Sequence, residues 1–351
     1  MAINLASKFA TTIDKAFEKG SFLKRHCKGK IDFTGVKTVR IYGVNPVEEN
    51  DYKRSGTNRY GEPQELEDTV QEHTLSQDKA FTFTIDKGNQ KDQMNIKGAA
   101  EMLKMQLNQK STPNADKYGF NRLCTFGHIG ALSAKPTKAT IVSDIADGMQ
   151  YLDDHLVPDD GRVLFVTSEL YKFIILADEF VKLDSLGGKS IPKGTVGTLL
   201  GMPVVKVPGT YLPDGCYFII LYEGAACFPY KIQDTKIHED PMGLSGNAVE
   251  GRHYYDLFVF EKKADGIYCG CLASKKQAAP TITDTSKTAV TLDSSGAGKI
   301  WYTLDGSDPR FSANRELYAG AFDGTGKTVK AVAMDTEGKF TSDVAEKTVA
   351  S

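Results

Sequence analysis

Residues 45–67 limit what this chain can fold into more than any other stretch. They lie between two β-forming regions, 36–44 ahead and a second behind, and they have no apolar period of their own. In the second region Phe81, Phe83 and Ile85 alternate with Thr82, Thr84 and Asp86, the pattern of a strand with one buried and one wet face. The tract between them carries Glu48, Glu49, Asp51, Lys53, Arg54, Arg59, Glu62, Glu65 and Glu67, and is punctuated by Pro46, Gly56, Gly61 and Pro63. Strand, polar excursion, strand describes a projecting hairpin. An unstructured excursion of this length is uncommon inside a compact domain and is usually functional. It buries too little apolar surface to offset the entropy of ordering itself, so its order must come from something outside it.

The remaining periodicity divides a chain of 351 residues into a mixed body and a distinct C-terminal piece. Leu5, Phe9, Ile13 and Phe17 recur every fourth residue, which predicts an amphipathic helix in an N-terminal arm. Residues 92–109 form a second helix with Ala99, Met102, Leu103 and Leu107 on one side. Thr112-Pro113 reads as an N-cap with proline at the first helical position, opening a further helix through Leu123. Residues 144–156 are helical by the spacing of Ile145, Met149, Leu152 and Leu156. Strands are expected at 162–166, 201–208, 216–222, 249–260 and 266–272, with a helix after Thr167 or Ser168. Helix and strand do not alternate regularly, so the class is α+β rather than a doubly wound nucleotide fold. After a linker at 275–280, short strands with Gly, Asp, Ser and Thr turns suggest a small all-β immunoglobulin-like sandwich over 281–351.

Charge sharpens the division. Residues 1–40 hold nine Lys and Arg against three Asp and Glu, on a chain whose net charge is -2. A basic arm on an acidic body can neutralise phosphate or dock on an acidic partner; a solvated helix face is the plainer reading. The longest apolar run, 217–222, is far short of the ~20 residues of a membrane span, so no membrane partner is expected. The N-terminus lacks a basic segment followed by an apolar core, so no secretion signal is expected. Six scattered cysteines are therefore read as free thiols. Cys269-Gly270-Cys271 is tight for a zinc pair and has no second pair in sequence, so no metal is expected.

Patterns that imitate catalytic motifs fail on inspection. Gly324-Thr325-Gly326-Lys327-Thr328 has Ala321 where a phosphate loop needs glycine, and a strand follows where a helix is required. Ser295-Gly296-Ala297-Gly298-Lys299 fails in the same way; both are read as hairpin turns. Asp305-Gly306-Ser307-Asp308-Pro309 lacks the spacing and distal glutamate of a calcium loop and reads as a turn. There is no Gly-x-Ser-x-Gly elbow, and His238 and His253 fall in or near strands. The adjacent carboxylates Asp153-Asp154, Asp159-Asp160 and Glu239-Asp240 point apart and make no acid/base pair by themselves. No catalytic residue and no cofactor are expected, and the chain is read as a non-enzyme.

The order of the motifs resembles a known family. After the basic arm and polar hairpin come Ala80-Phe81-Thr82-Phe83-Thr84-Ile85 and a long helix. Arg162-Val163-Leu164-Phe165-Val166-Thr167-Ser168-Glu169-Leu170-Tyr171 and Leu200-Gly201-Met202-Pro203-Val204-Val205-Lys206-Val207-Pro208 follow. Ala226-Cys227-Phe228-Pro229-Tyr230-Lys231-Ile232 and Glu250-Gly251-Arg252-His253-Tyr254-Tyr255-Asp256 close the series. Over residues 1–274 this resembles the major capsid proteins of tailed bacteriophages, the Hong Kong 97 fold. The resemblance implies an N-terminal arm at 1–35, an extended hairpin loop at 36–88, a peripheral domain at 89–138 with 250–274, and an axial domain at 139–249. It implies that the loop lies over an adjacent subunit, with Glu48, Glu49, Asp51, Lys53, Arg54, Arg59, Glu65 and Glu67 as the expected subunit contacts. Lys24, Arg25, Lys28 and Lys30 become the expected interior or DNA-facing basic arm.

The partners so implied are the chain itself, in hexamers and pentamers of a capsid, a separate scaffolding protein, a portal, and packaged double-stranded DNA. The expected location is the virion, after assembly in the bacterial host cytoplasm. Trp301-Tyr302-Thr303-Leu304-Asp305-Gly306-Ser307-Asp308-Pro309 separately resembles the C-terminal immunoglobulin-like modules of bacterial chitobiases. That implies an outward decoration domain, with glycan contact as one role and a stabilising spacer as the preferred one. An encapsulin-like nanocompartment shell and a carbohydrate-binding protein are the alternative functions.

Overall fold

The computed structural model describes residues 20–31, 38–44, 47, 49–63, 65–66, 68–92, 98–176, 180–182, 195–296 and 298–350. The helix expected around Leu5, Phe9, Ile13 and Phe17 lies outside the described residues.

A seven-stranded mixed sheet forms the centre of the body. Its order is His128–Leu132, Ile267–Leu272, Cys216–Tyr222, Arg162–Thr167, Met202–Val207, Thr195–Leu199 and Phe180–Lys182. The strand Arg162–Thr167 is buried at every position. Val163 and Phe165 point to one face, against Phe120, Leu123 and Cys124 of a long helix. Leu164 and Val166 point to the other, against Ile141, Ile145 and Leu152 of the helix Ile141–Asp154, and Leu170 and Ile174 of the helix Ser168–Ile174. A near-continuous apolar strand is what a sheet covered on both sides requires. Each such side chain contributes about 1.5–3 kcal/mol by leaving water.

The long helix differs from its expected start. Thr112 does not cap anything: Ser111 and Thr112 both have helical dihedrals, and the chain is helical from Ala99 through Phe126. Pro113 sits inside it, and the five residues Leu107–Ser111 before it form a wide π turn in which the Thr112 amide bonds the Leu107 carbonyl. Proline has no N–H to give and crowds the preceding turn, so the helix relaxes its bonding locally instead of ending.

The sheets cut across the expected domain limits. Strands His128–Leu132 and Ile267–Leu272, assigned by resemblance to the peripheral domain, pair with each other and with Cys216–Tyr222 in the central sheet. Tyr230–Glu239 and the first four residues of Gly246–Tyr255 were expected in the axial domain, and the rest of that strand in the peripheral domain. Together they form one three-stranded antiparallel sheet with Gln77–Asp86. Ile85 and Val249 there pack on Ala99, Met102 and Leu103 of the long helix. Pairing partners far apart in sequence, not local pattern, decide which sheet a strand joins.

Within the expected hairpin region 36–88, the second strand region is two strands. Asp68–Thr74 pairs antiparallel with Thr38–Val44, and Gln77–Asp86 turns away into the three-stranded sheet. Their joint is buried: Leu75 is 1% exposed, beside Phe258. Asp256, 1% exposed, organises it, accepting hydrogen bonds from the Ser76 amide (2.9 Å), the Tyr118 hydroxyl on the long helix (2.6 Å) and the Leu257 amide (2.7 Å).

The C-terminal piece is a two-sheet sandwich. Thr281–Ser286 pairs with Ala289–Asp293, facing a four-stranded sheet of order Glu316–Leu317, Lys299–Thr303, Thr328–Met334, Ala345–Thr348. Val290, Leu292, Tyr302, Val329, Ala331 and Val349 fill its core. The strands flanking the expected turn at 295–299 do not pair as a hairpin: Ala289–Asp293 and Lys299–Thr303 belong to different sheets. Residues 323–327 do form a turn, closed by the Lys327 amide on the Gly324 carbonyl.

Replacing Asp256 by alanine strands the Ser76 and Leu257 amides and leaves the Tyr118 hydroxyl only the Ser76 hydroxyl, at a cost of roughly 3 kcal/mol. The melting temperature should fall, and amide exchange should accelerate first around Leu75 and Ser76. A variant melting like the wild type would contradict the role given to Asp256.

Candidate assembly surfaces

The hairpin Thr38–Val44 with Asp68–Thr74 is a two-stranded ribbon belonging to no larger sheet. Such a ribbon is at best marginally stable in water alone. Its base is tied down: Gln71 donates to the Val259 carbonyl (2.8 Å) and accepts from the Glu261 amide (3.1 Å). His73, 5% exposed, packs on Phe258 with ring centroids 4.6 Å apart. Beyond the base the apolar side chains are uncovered. Seven of the thirteen exposed large hydrophobics among the described residues are Tyr42, Val44, Val47, Tyr52, Tyr60, Leu66 and Val70. Concentrating uncovered apolar surface on one projection is the mark of a surface that meets a partner.

Of the expected contact residues, Glu49, Asp51, Lys53, Arg54, Arg59 and Glu65 are exposed along this projection; Glu48 and Glu67 lie outside the described residues. The tip has some local order. The Lys53 amide bonds the Arg59 carbonyl, the Arg59 side chain donates to the Gly56 carbonyl, and Tyr52 meets Tyr60 edge-on at 5.0 Å. These bonds shape a turn; they bury nothing.

The arm enters through Leu23, wholly buried against Gly119 of the long helix, where a Cβ would meet Leu23 at 2.4 Å. Asp116 anchors it, accepting from the Ser21 hydroxyl (2.6 Å) and the Phe22 amide (2.8 Å). Burial raises the Asp116 carboxyl to about 6, opposed by those hydrogen bonds. The expected basic residues separate here. Lys28 pairs with Glu223, which also holds the buried His26 at 2.9 Å, while Lys24 lies 4.9 Å over the Tyr230 ring. Arg25 and Lys30 are exposed.

The C-terminal module is joined to the body by more than its linker. The long helix ends at Phe126, where terminal carbonyls lack intrahelical donors. The module supplies them: the Thr341 hydroxyl donates to the Thr125 carbonyl (2.9 Å) and the Arg310 guanidinium to the Phe126 carbonyl (3.1 Å). A cation at a helix C-terminus is also favoured by the helix dipole. Phe311 stacks on Phe126 at 5.1 Å, and Phe311 and Phe340 belong to the body's own core. Trp301 is half-buried, with the Arg315 guanidinium 4.7 Å from its ring. Asp305 and Asp308 serve the turn: Asp305 accepts from the Ser307 amide (3.1 Å) and Asp308 pairs with Arg310 (2.8 Å).

One set of metal-ligating side chains converges among the described residues: Cys124, Cys216 and Cys271, inside the body. Sequence reasoning did not find it because Cys124 and Cys216 are 92 residues apart and only the fold brings them together. No helix among the described residues is long and apolar enough to cross a membrane.

Comparison with known proteins agrees with this division. Residues 279–346 match the family model of the chitobiase/beta-hexosaminidase C-terminal domain. No curated protein sequence matches the chain. Among solved structures, a chain of Mycobacterium phage Che8 is similar with a TM-score of 0.59 and 19% identity, over 77% of this chain and 98% of that one. The asymmetric unit of the bacteriophage PhiM1 mature capsid gives 0.58 and 13%, over 76% and 92%. The capsid of cyanophage P-SCSP1u gives 0.56 and 12%, over 77% and 93%. The fold is therefore that of tailed-phage capsid subunits, the Hong Kong 97 type. To it is added an all-β module of the chitobiase C-terminal kind.

Two predictions follow from these surfaces. Burial holds His73 down to about 4, against 6.5 for a free histidine. Neutral His73 thus contributes stability that is whole above pH 6.5 and lost as pH falls towards 4, roughly 3 kcal/mol at most. His73→Phe keeps the ring contact and should flatten the melting-temperature profile across that window; an unchanged profile would contradict it. Asp116 works in the opposite sense, its raised carboxyl favouring the folded state as pH falls below 6. At the junction, Arg310→Ala should loosen the module, so that limited proteolysis cuts within 275–280 far sooner than in the wild type. Equal cutting rates would show that the contact does not hold the module.

Proposed function

We propose that this chain is a structural major capsid protein. Copies of it assemble as hexamers and pentamers into an icosahedral shell that encloses double-stranded phage DNA in the virion. The observation that carries the reading is the hairpin: a body with the fold of capsid subunits projects a ribbon on which Tyr42, Val44, Val47, Tyr52, Tyr60, Leu66 and Val70 are exposed among the described residues. A neighbouring copy supplies the missing surface, and residues 45–67, with Glu49, Asp51, Lys53, Arg54, Arg59 and Glu65 at hand, make the contacts.

Lys24, Arg25, Lys28 and Lys30, all exposed, give the arm its cations for the interior and its DNA, with Lys28 also paired to Glu223. Scaffolding and portal proteins would act as separate partners. The C-terminal module serves as a clamp and outer layer rather than a sugar binder, because the Arg315 cation sits on the Trp301 ring that a sugar would need. Double-stranded DNA in purified particles, rather than enzyme cargo, separates a viral shell from a nanocompartment.

Deleting residues 45–67 should leave a soluble, folded subunit that closes no shells, as judged by negative-stain electron microscopy and sedimentation. Normal particles from the deletion would overturn the assignment of the hairpin.

A further inference from the structure

We propose that Cys124, Cys216 and Cys271 form a thiolate site for a zinc ion. The three sulfurs come from the long helix and two neighbouring strands, all lie within 4.8 Å of one another, and all three residues are buried. Cys124 and Cys216 are 3.7 Å apart. Zinc–sulfur bonds of about 2.3 Å place tetrahedral sulfurs about 3.8 Å apart, so the pair already has the separation a shared ion imposes.

The strand geometry gives a second, independent reason. Strands Ile267–Leu272 and Cys216–Tyr222 run in regular antiparallel register from Ile267 opposite Leu221 to Gly270 opposite Phe218. Continued regularly, Cys271 would face Tyr217. A bulge instead skips Tyr217 and sets Cys271 opposite Cys216. In the regular part of the strand Ile219 and Leu221 face the long helix, while Phe218 and Ile220 face the other side. Alternation would therefore send Cys216 away from the helix. The bulge reverses it, placing Cys216 with the helix-side core and Tyr217 with the opposite one. Bulges commonly re-aim a side chain at a functional position. Here the re-aimed side chain is the one that completes the group of three.

Cys269 shares its strand face with Cys271. Its thiol donates to the Leu123 carbonyl at 3.8 Å. It keeps its proton for that bond and stands outside the group of three. Zinc then displaces three protons, one each from Cys124, Cys216 and Cys271, which leave to solvent, and the buried site carries a single negative charge. No electron is transferred. The ion would pin the long helix to the central sheet, and must be taken up during folding because the site has no exposed ligand.

The test uses the full chain expressed with zinc under reducing conditions, passed through gel filtration, and assayed for metal by mass spectrometry. About one zinc per chain is expected, as three buried thiolates retain the ion through gel filtration. Cobalt(II) in place of zinc should give near-ultraviolet thiolate-to-cobalt charge transfer. Cys216→Ala should lose the metal, while Cys27→Ala, a buried cysteine outside the group, should keep it. The cobalt spectrum of the wild type decides the matter even where Cys216→Ala does not fold. Folded wild-type chain without zinc, without the charge-transfer band and with six titratable thiols in denaturant would overturn the proposal. So would a disulfide between Cys124 and Cys216, or zinc retained by Cys216→Ala.

Discussion

Asp256 is the point on which the projecting parts of this subunit turn. One buried carboxylate accepts from the joint below the hairpin, from Tyr118 on the long helix and from its own following amide. A hydrogen bond to a charged acceptor in a dry site is worth more than a neutral one, and losing it leaves a buried donor stranded. The hairpin is thus aimed by a few buried polar contacts at its base: Asp256, Gln71 and the His73–Phe258 stack. Beyond that base Tyr42, Val44, Val47, Tyr52, Tyr60, Leu66 and Val70 are exposed among the described residues. In the proposed shell, neighbouring copies cover them.

The long helix connects the other features. Its inner side covers one face of the central sheet, its N-terminal part supports the three-stranded sheet, Asp116 anchors the arm, and its C-terminal carbonyls are capped by the module. The appended module is therefore a structural continuation of the body: it donates Phe311 and Phe340 to the body's core and a cation to its helix end. The proposed thiolate site lies on the same helix, four residues after Phe120, and would fasten it to the sheet it covers.

Much of the fold was legible where local pattern decides the outcome. The alternation of Phe81, Phe83 and Ile85, the all-apolar strand 162–166, the helix around Ile145 and Leu152, and the strand blocks of the sandwich all appear near their expected places. Local pattern failed where distant pairing decides. Thr112-Pro113 has the chemistry of a helix start, yet packing on both sides carried the helix through it. Strands His128–Leu132 and Ile267–Leu272 look no different from strands of any other sheet until they pair. Asp256, Gln71 and the cysteine group left no signal, because each acts through partners far along the chain. The polar tract was legible for the opposite reason: what it lacks can be read in the sequence without knowing any contact.

The central claim is that copies of this chain order one another's hairpins. Hydrogen–deuterium exchange across residues 45–67, measured on dispersed subunits and on assembled shells, tests it most directly. The account predicts rapid exchange in the dispersed subunit and exchange slowed roughly tenfold or more on assembly. Equal protection in the two states would contradict it.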